Sequence, residues 1–136
     1  EIINNVILDA LPRLIKNYQI IHQTGVKKFK TVSGQAEVIL SKEKYYGTKY
    51  LPFPFLNSLQ MKMAAGAATV IVSRAGSTLF EIASWGVPSI LIPFTNSNAD
   101  HSKKNAFTYA RAGACSVIEE VNMTANILSS EIERIL

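Results

Sequence analysis

The stretch VIVSRAGSTLFEIASWGVPSILIPF, residues 70–94, decides the fold class. It opens on an apolar, β-branched run, Val70-Ile71-Val72, which suits a buried strand. The run stops at Ser73-Arg74-Ala75-Gly76. A helix then starts at Ser77 or Thr78 and carries Glu81 one turn in. Gly86-Val87-Pro88 makes a turn into a second apolar strand over residues 89–92, which Pro93 ends. This is a strand–loop–helix–strand unit with polar groups at the strand-to-helix junction. In open α/β sheets ligands bind at that junction, beyond the carboxyl ends of the strands. Exposed amides at the start of a helix favour an anion such as a phosphate, and Glu81 sits close enough to accept from ribose hydroxyls.

Working outward, residues 2–16 read as an amphipathic helix with Ile3, Val6, Ile7, Ala10, Leu11, Leu14 and Ile15 on one face. Pro12 inside it predicts a kink or a late start. Residues 18–23 read as a strand ended by Thr24-Gly25, followed by a basic loop over 26–30. A helix is expected over 33–44, a strand over 48–53, and a helix over 57–66 with Asn57 or Ser58 as its N-cap. After the central stretch come a helix over 98–112 stopped by Gly113, a strand over 114–118, and a last helix capped by Thr124 and running to Leu136. The alternation α-β-α-β-α-β-α-β-α-β-α predicts a Rossmann-like, doubly wound parallel sheet with helices on both faces. Such a domain normally begins on the strand that lies in the middle of its sheet. This sequence begins on a helix, so that first strand is expected to be missing from it.

The 136 residues suit one domain over 1–136, and a hydrophobic content of 48% makes it globular. Apolar runs are strand-sized, short of the ~18 residues of a membrane-spanning helix. The opening Glu1-Ile2-Ile3 has neither a basic signal region nor an initiator Met, so the chain reads as part of something longer. One cysteine, Cys115, excludes an internal disulfide and points to the cytosol. It reads as a core residue. The net charge is +4, and lysines lie in three loose groups, Lys27, Lys28 and Lys30; Lys42, Lys44 and Lys49; Lys103 and Lys104. These read as solvated surface, with an anionic ligand or an anionic membrane as the sharper alternatives. Tyr45, Tyr46 and Tyr50 do not interleave with a basic stripe, so no nucleic-acid partner is expected. His22, in an apolar strand, reads as a satisfied core histidine, and Trp85 as packing. No His/Cys/Asp/Glu cluster has metal-ligand spacing. Walker loop, nucleophile elbow and Gly-x-Gly-x-x-Gly are all missing from the sequence.

With Ser73-Arg74-Ala75-Gly76, Glu81, Gly86-Val87-Pro88, Pro93-Phe94, Asp100-His101 with Asn105-Ala106, and Ala110-Arg111-Ala112-Gly113-Ala114 in place, the chain resembles the C-terminal domain of MurG-type N-acetylglucosaminyltransferases of glycosyltransferase family 28. The resemblance spans residues 1–136 and is strongest over 70–113. It implies the donor-binding half of a GT-B fold, and an inverting transfer of N-acetylglucosamine from UDP-N-acetylglucosamine to a lipid-linked muramyl-pentapeptide in peptidoglycan synthesis. Leu56, after Phe55, matches the position whose backbone reads the uracil. Ser77, Thr78, Leu79 and Phe80 match the loop and helix start beside the pyrophosphate and sugar, with Arg74 and Gly76 leading into it. Glu81 matches the acid that bonds the ribose hydroxyls. His101 and Ser102 match a pair that contacts donor sugar and phosphates, and Asn105 an Asn that holds that helix start. The family's Gln is Ser102 here, a shorter side chain that bears on sugar selectivity. The family's phosphate-binding glycine loop would precede Glu1.

The resemblance also implies partners beyond this chain. An N-terminal domain of the same protein would bind the acceptor and bring the catalytic base, so this chain alone is expected to be inactive as a transferase. No metal or other cofactor is expected, and the protein would work in the cytoplasm, peripheral to the inner face of the membrane. Two alternatives stay open. One is the donor domain of a related UDP-sugar transferase with a glycolipid or dolichol-linked acceptor. The other is a non-catalytic nucleotide-binding module. Read alone, Glu81 is an acid complementing the helix dipole, Arg74 a salt-bridge residue, Gly76 a turn glycine, His101 an exposed or capping histidine, and Ser102 an N-cap.

Overall fold

Apolar side chains at helical spacing bury one face of α1 (Ile2–Leu14), with Leu11 fully enclosed. Pro12 lies inside α1 two residues from its end, where it removes the bond to the Leu8 carbonyl without ending the helix. The helix therefore runs unbroken to Leu14 and unwinds through bonds from Asn17 and Tyr18 N–H to the Leu14 carbonyl. This computed structural model describes residues 2–42, 49–74, 79–94 and 115–136. The expected helix over 98–112 lies outside those residues.

The chain divides into two units, Glu1–Ala64 and Ala65–Leu136. In the first, β1 (Ile20–Gln23) pairs in parallel with β2 (Tyr50–Phe53), in register from Ile20 opposite Tyr50 to Gln23 opposite Phe53. Between them, α2 (Phe29–Leu40) begins at Phe29 rather than at Ser33. Val32, Ala36 and Leu40 form a buried stripe at a spacing of four. That stripe starts before the serine that looks like a cap, so burial sets the boundary and Lys28 takes the N-cap position with no side-chain cap bond. Lys30 is thereby helical, where a basic loop was expected. Asn57 and Gln60 close the start of α3 (Ser58–Ala67) reciprocally. The Gln60 N–H donates to Asn57 Oδ1 at 2.8 Å, and the Asn57 N–H to Gln60 Oε1 at 3.0 Å.

In the second unit, β3 (Ile71–Arg74), β4 (Ser89–Ile92) and β5 (Cys115–Val117) form a parallel sheet in the order β3-β4-β5. Every residue of β4 is buried, as a central strand covered on both faces requires. Ile82 of α4 (Leu79–Trp85) packs on Leu91, with Trp85, Cys115 and Val117 against them. Gly86 ends α4 with φ +68°, a left-handed conformation that glycine adopts without steric cost. A 3-10 turn (Glu120–Asn122), unforeseen in the sequence, precedes α5 (Ala125–Ile135). Thr124 caps α5 as expected, its Oγ1 accepting from the Ile127 N–H at 3.1 Å. The fold is α/β with parallel strands. Among the described residues the strands fall into a pair and a triple rather than one sheet.

Candidate functional site

The carboxyl ends of β1 and β2 are fixed by a buried polar chain. His22, 7% exposed, lies between Tyr50 and Asn4: its Nδ1 is 2.7 Å from the Tyr50 hydroxyl and its Nε2 is 2.8 Å from Asn4 Oδ1. Asn4 Nδ2 donates to the Thr24 carbonyl at 3.0 Å. A carbonyl can only accept, so Asn4 must turn its nitrogen to Thr24 and its oxygen to His22. His22 then carries its proton on Nε2, and Tyr50 donates to Nδ1. Burial lowers the His22 pKa to about 4 and raises that of Tyr50 to about 12, so both are neutral near pH 7. His22 is the satisfied core histidine that its strand suggested. The Thr24 N–H donates to the Phe53 carbonyl at 2.9 Å, which extends the β1–β2 pairing past the strand ends. Gly25 follows with φ +89°, turning the chain away.

Beyond β2 the chain reaches Leu56, one of the expected binding positions. Its side chain is buried and its N–H donates to Gln23 Oε1 at 2.8 Å. Gln23, the last residue of β1, did not stand out in the sequence. The pairing of Gln23 with Phe53 is what brings it beside Leu56. Phe55 is 62% exposed at the same loop.

In the second unit, Arg74 is the last residue of β3. Its Nη1 donates to the Pro93 carbonyl at 3.2 Å, its Nη2 pairs with the Glu120 carboxylate, and its guanidinium lies 4.9 Å from the centre of the Phe94 ring. Three polar and cation–π contacts thus tie the carboxyl ends of β3 and β4 to the 3-10 turn after β5. Glu120 had no sequence signal beyond its charge. Leu79 and Phe80 open α4, and Glu81 lies in its first turn. Glu81 is exposed, and among the described residues its carboxylate has no partner. Gly76, Ser77, Thr78, His101, Ser102 and Asn105 lie outside the described residues.

Cys115 is half-buried against Leu91, and burial pushes its thiol up to about 11, so it is an unreactive packing group at neutral pH. Among the described residues no three His, Cys, Asp or Glu side chains could share a metal ion. No described helix is long and apolar enough to cross a membrane. A shallow groove between α1 and α2, lined by Leu8, Asp9, Gln35 and Val38 among others, contains none of the expected site residues.

The family model of the glycosyltransferase family 28 C-terminal domain matches residues 1–136. The UDP-N-acetylglucosamine--N-acetylmuramyl-(pentapeptide) pyrophosphoryl-undecaprenol N-acetylglucosamine transferase of Lactobacillus acidophilus is 35% identical over 136 residues, covering 98% of this chain and 35% of that protein. The protein of the same name from Halothermothrix orenii is 34% identical, covering 97% of this chain and 36% of its own length. The chain therefore spans about a third of these relatives. The crystal structure of Acinetobacter baumannii MurG superposes with a TM-score of 0.81 at 24% identity, over 98% of this chain and 37% of that one. At that identity the likeness is one of fold.

Proposed function

The chain belongs to the glycosyltransferase family 28 C-terminal domain family, and on that premise we propose that residues 1–136 act as one donor-binding domain for UDP-N-acetylglucosamine. The parent protein would be an inverting transferase that moves the sugar to a lipid-linked muramyl-pentapeptide. The observation that supports a ligand role most directly is Glu81. A carboxylate exposed on the first turn of α4, with no partner among the described residues, is available to accept from two ribose hydroxyls.

In this reading Leu56 reads the base through its backbone. Ser77, Thr78, Leu79 and Phe80 flank the pyrophosphate and sugar, with Gly76 allowing close approach of the backbone. His101, Ser102 and Asn105 complete the donor contacts. Departure of UDP develops negative charge, which backbone N–H groups at the helix start and His101 would stabilise without a metal. Arg74 acts as a positioning residue: its donors go to Pro93 and Glu120, and so it holds the strand ends from which the site loops leave. A base from another part of the protein takes the acceptor proton. That part also meets the lipid-linked acceptor at the inner face of the membrane.

Ser102, where the family's pattern has Gln, favours one further reading: a related transferase of the same family with another UDP-sugar or acceptor.

Calorimetric titration with UDP, UDP-N-acetylglucosamine, UDP-glucose and NADH tests this. UDP compounds are expected to bind, and Glu81→Ala is expected to weaken them at least tenfold without lowering the melting temperature. A preference for UDP-glucose would move the assignment to the related transferase. A folded chain that binds NADH, or no UDP compound, would refute the donor reading.

A further inference from the structure

The backbone N–H to which the donor reading assigns the uracil is already occupied from within the chain. Gln23 Oε1 accepts it at 2.8 Å, an ordinary distance for an N–H···O bond. The chemistry of the occupant matches that of the expected ligand. A glutamine carboxamide presents a carbonyl acceptor next to an N–H donor, the same O=C–N–H edge that uracil presents through O4 and N3. We propose that Gln23 is an internal stand-in for the base, holding the Leu56 N–H until a uracil carbonyl displaces it. The inference rests on the donor reading of Leu56.

The surroundings make Gln23 replaceable and Leu56 fixed. Gln23 is exposed, and its amide nitrogen has no partner among the described residues, so the side chain can turn into water at little cost. Its backbone is held on both sides. His22 is anchored to Asn4 and Tyr50, and the Thr24 N–H is bonded to the Phe53 carbonyl. Leu56 is buried and directly precedes the capping pair Asn57–Gln60, so its N–H keeps its place when the partner leaves. The occupant also has a use. A backbone N–H on a buried residue is costly without an acceptor, and Gln23 supplies one while the site is empty. A nucleobase lacking a carbonyl at the matching place would have to break this bond and return nothing, so the contact discriminates between bases as well as filling a vacancy.

Gln23→Ala and Gln23→Glu separate this from a structural role, because they act in opposite directions. Alanine removes the competitor. UDP is expected to bind about three- to tenfold more tightly, the range for one net hydrogen bond of typical strength. Glutamate keeps the acceptor and strengthens it with charge, and UDP is expected to bind several-fold more weakly. Both variants are expected to leave binding of ribose 5-phosphate, which has no base, unchanged in NMR titrations. In the free protein the Leu56 amide is expected to exchange faster with solvent in Gln23→Ala than in wild type. Gln23→Ala that binds UDP as wild type does, or more weakly, overturns the inference. So does a gain shared equally by ribose 5-phosphate. If wild-type binding of UDP needs Glu81 in either case, the donor reading stands while the stand-in falls. If wild type binds no UDP at all, the donor reading itself falls and takes the stand-in with it.

Discussion

Asn4 Oδ1 and His22 Nε2 lie 2.8 Å apart, and the direction of that hydrogen bond orders every proton in the buried chain from Thr24 through Asn4 and His22 to Tyr50. The chain joins α1 to both strands of the first unit. It lies directly beneath the strand ends that carry Gln23 and lead to Leu56.

His22 is therefore expected in the Nε2–H tautomer at neutral pH, read by nitrogen chemical shifts of the ring. Removing its partners has graded costs. Tyr50→Phe leaves Nδ1 without a donor and should destabilise by about 1–2 kcal/mol. Asn4→Ala strands both the Nε2–H and the Thr24 carbonyl and should cost more than Tyr50→Phe. Denaturant unfolding gives the order, and the reverse order would refute the proton assignment.

The same histidine makes stability depend on pH. Its folded pKa, about 4, lies below its ordinary value of 6.5. Between those values the unfolded chain binds a proton that the folded chain refuses, so stability is full above pH 6.5 and falls as pH drops toward 4. A shift of this size corresponds to about 3 kcal/mol. The difference in unfolding free energy between wild type and His22→Gln should shrink by an amount of that order from pH 7 to pH 4.5. A difference that stays constant with pH would show that His22 does not titrate on unfolding.

Arg74 and Glu120 are 24% and 16% exposed, so their ion pair is largely shielded. Removing one partner should cost about 1–3 kcal/mol, because a partly buried charge loses its ion-pair partner. The double variant Arg74→Ala/Glu120→Ala should be less destabilised than the sum of the singles. Arg74→Lys should not restore stability, since one ammonium cannot serve Pro93, Glu120 and the Phe94 ring together. Strict additivity would place the effect elsewhere.

At the start of α3 the cap is Asn57, not Ser58. Asn57→Ala should cost about 1 kcal/mol, as should Thr124→Ala at α5. Ser58→Ala should change stability little. Thermal unfolding of the three variants checks this, and equal losses at positions 57 and 58 would contradict the assigned cap.

Much of the fold was legible because its signals are local. The Gly86-Val87-Pro88 turn and the 89–92 strand appear as read, Thr124 caps the helix it was expected to cap, and the strand expected over 70–72 runs instead from Ile71 to Arg74. The start of α2 was misread because Ser33 offers a cap while Val32, Ala36 and Leu40 offer burial, and burial prevailed. Pro12 predicts a kink or a late start, yet α1 begins at Ile2 and continues past it to Leu14. Arg74 was rightly placed at a strand end. What it touches there was not readable, because Pro93, Phe94 and Glu120 reach it only through the pairing of β3, β4 and β5.

The sequence by itself determined the order of the described helices and strands, the Thr124 cap, the turn at Gly86 and the family. These depend on residues a few positions apart, whose energies are set along the chain. The tertiary structure alone decided that Asn4 completes His22, that Glu120 takes Arg74, and that Gln23 holds the N–H of Leu56, 33 residues away. Such contacts exist only once strands, helices and turns are packed together, and a one-residue slip of β1 or β3 would turn His22, Gln23 or Arg74 to the opposite face.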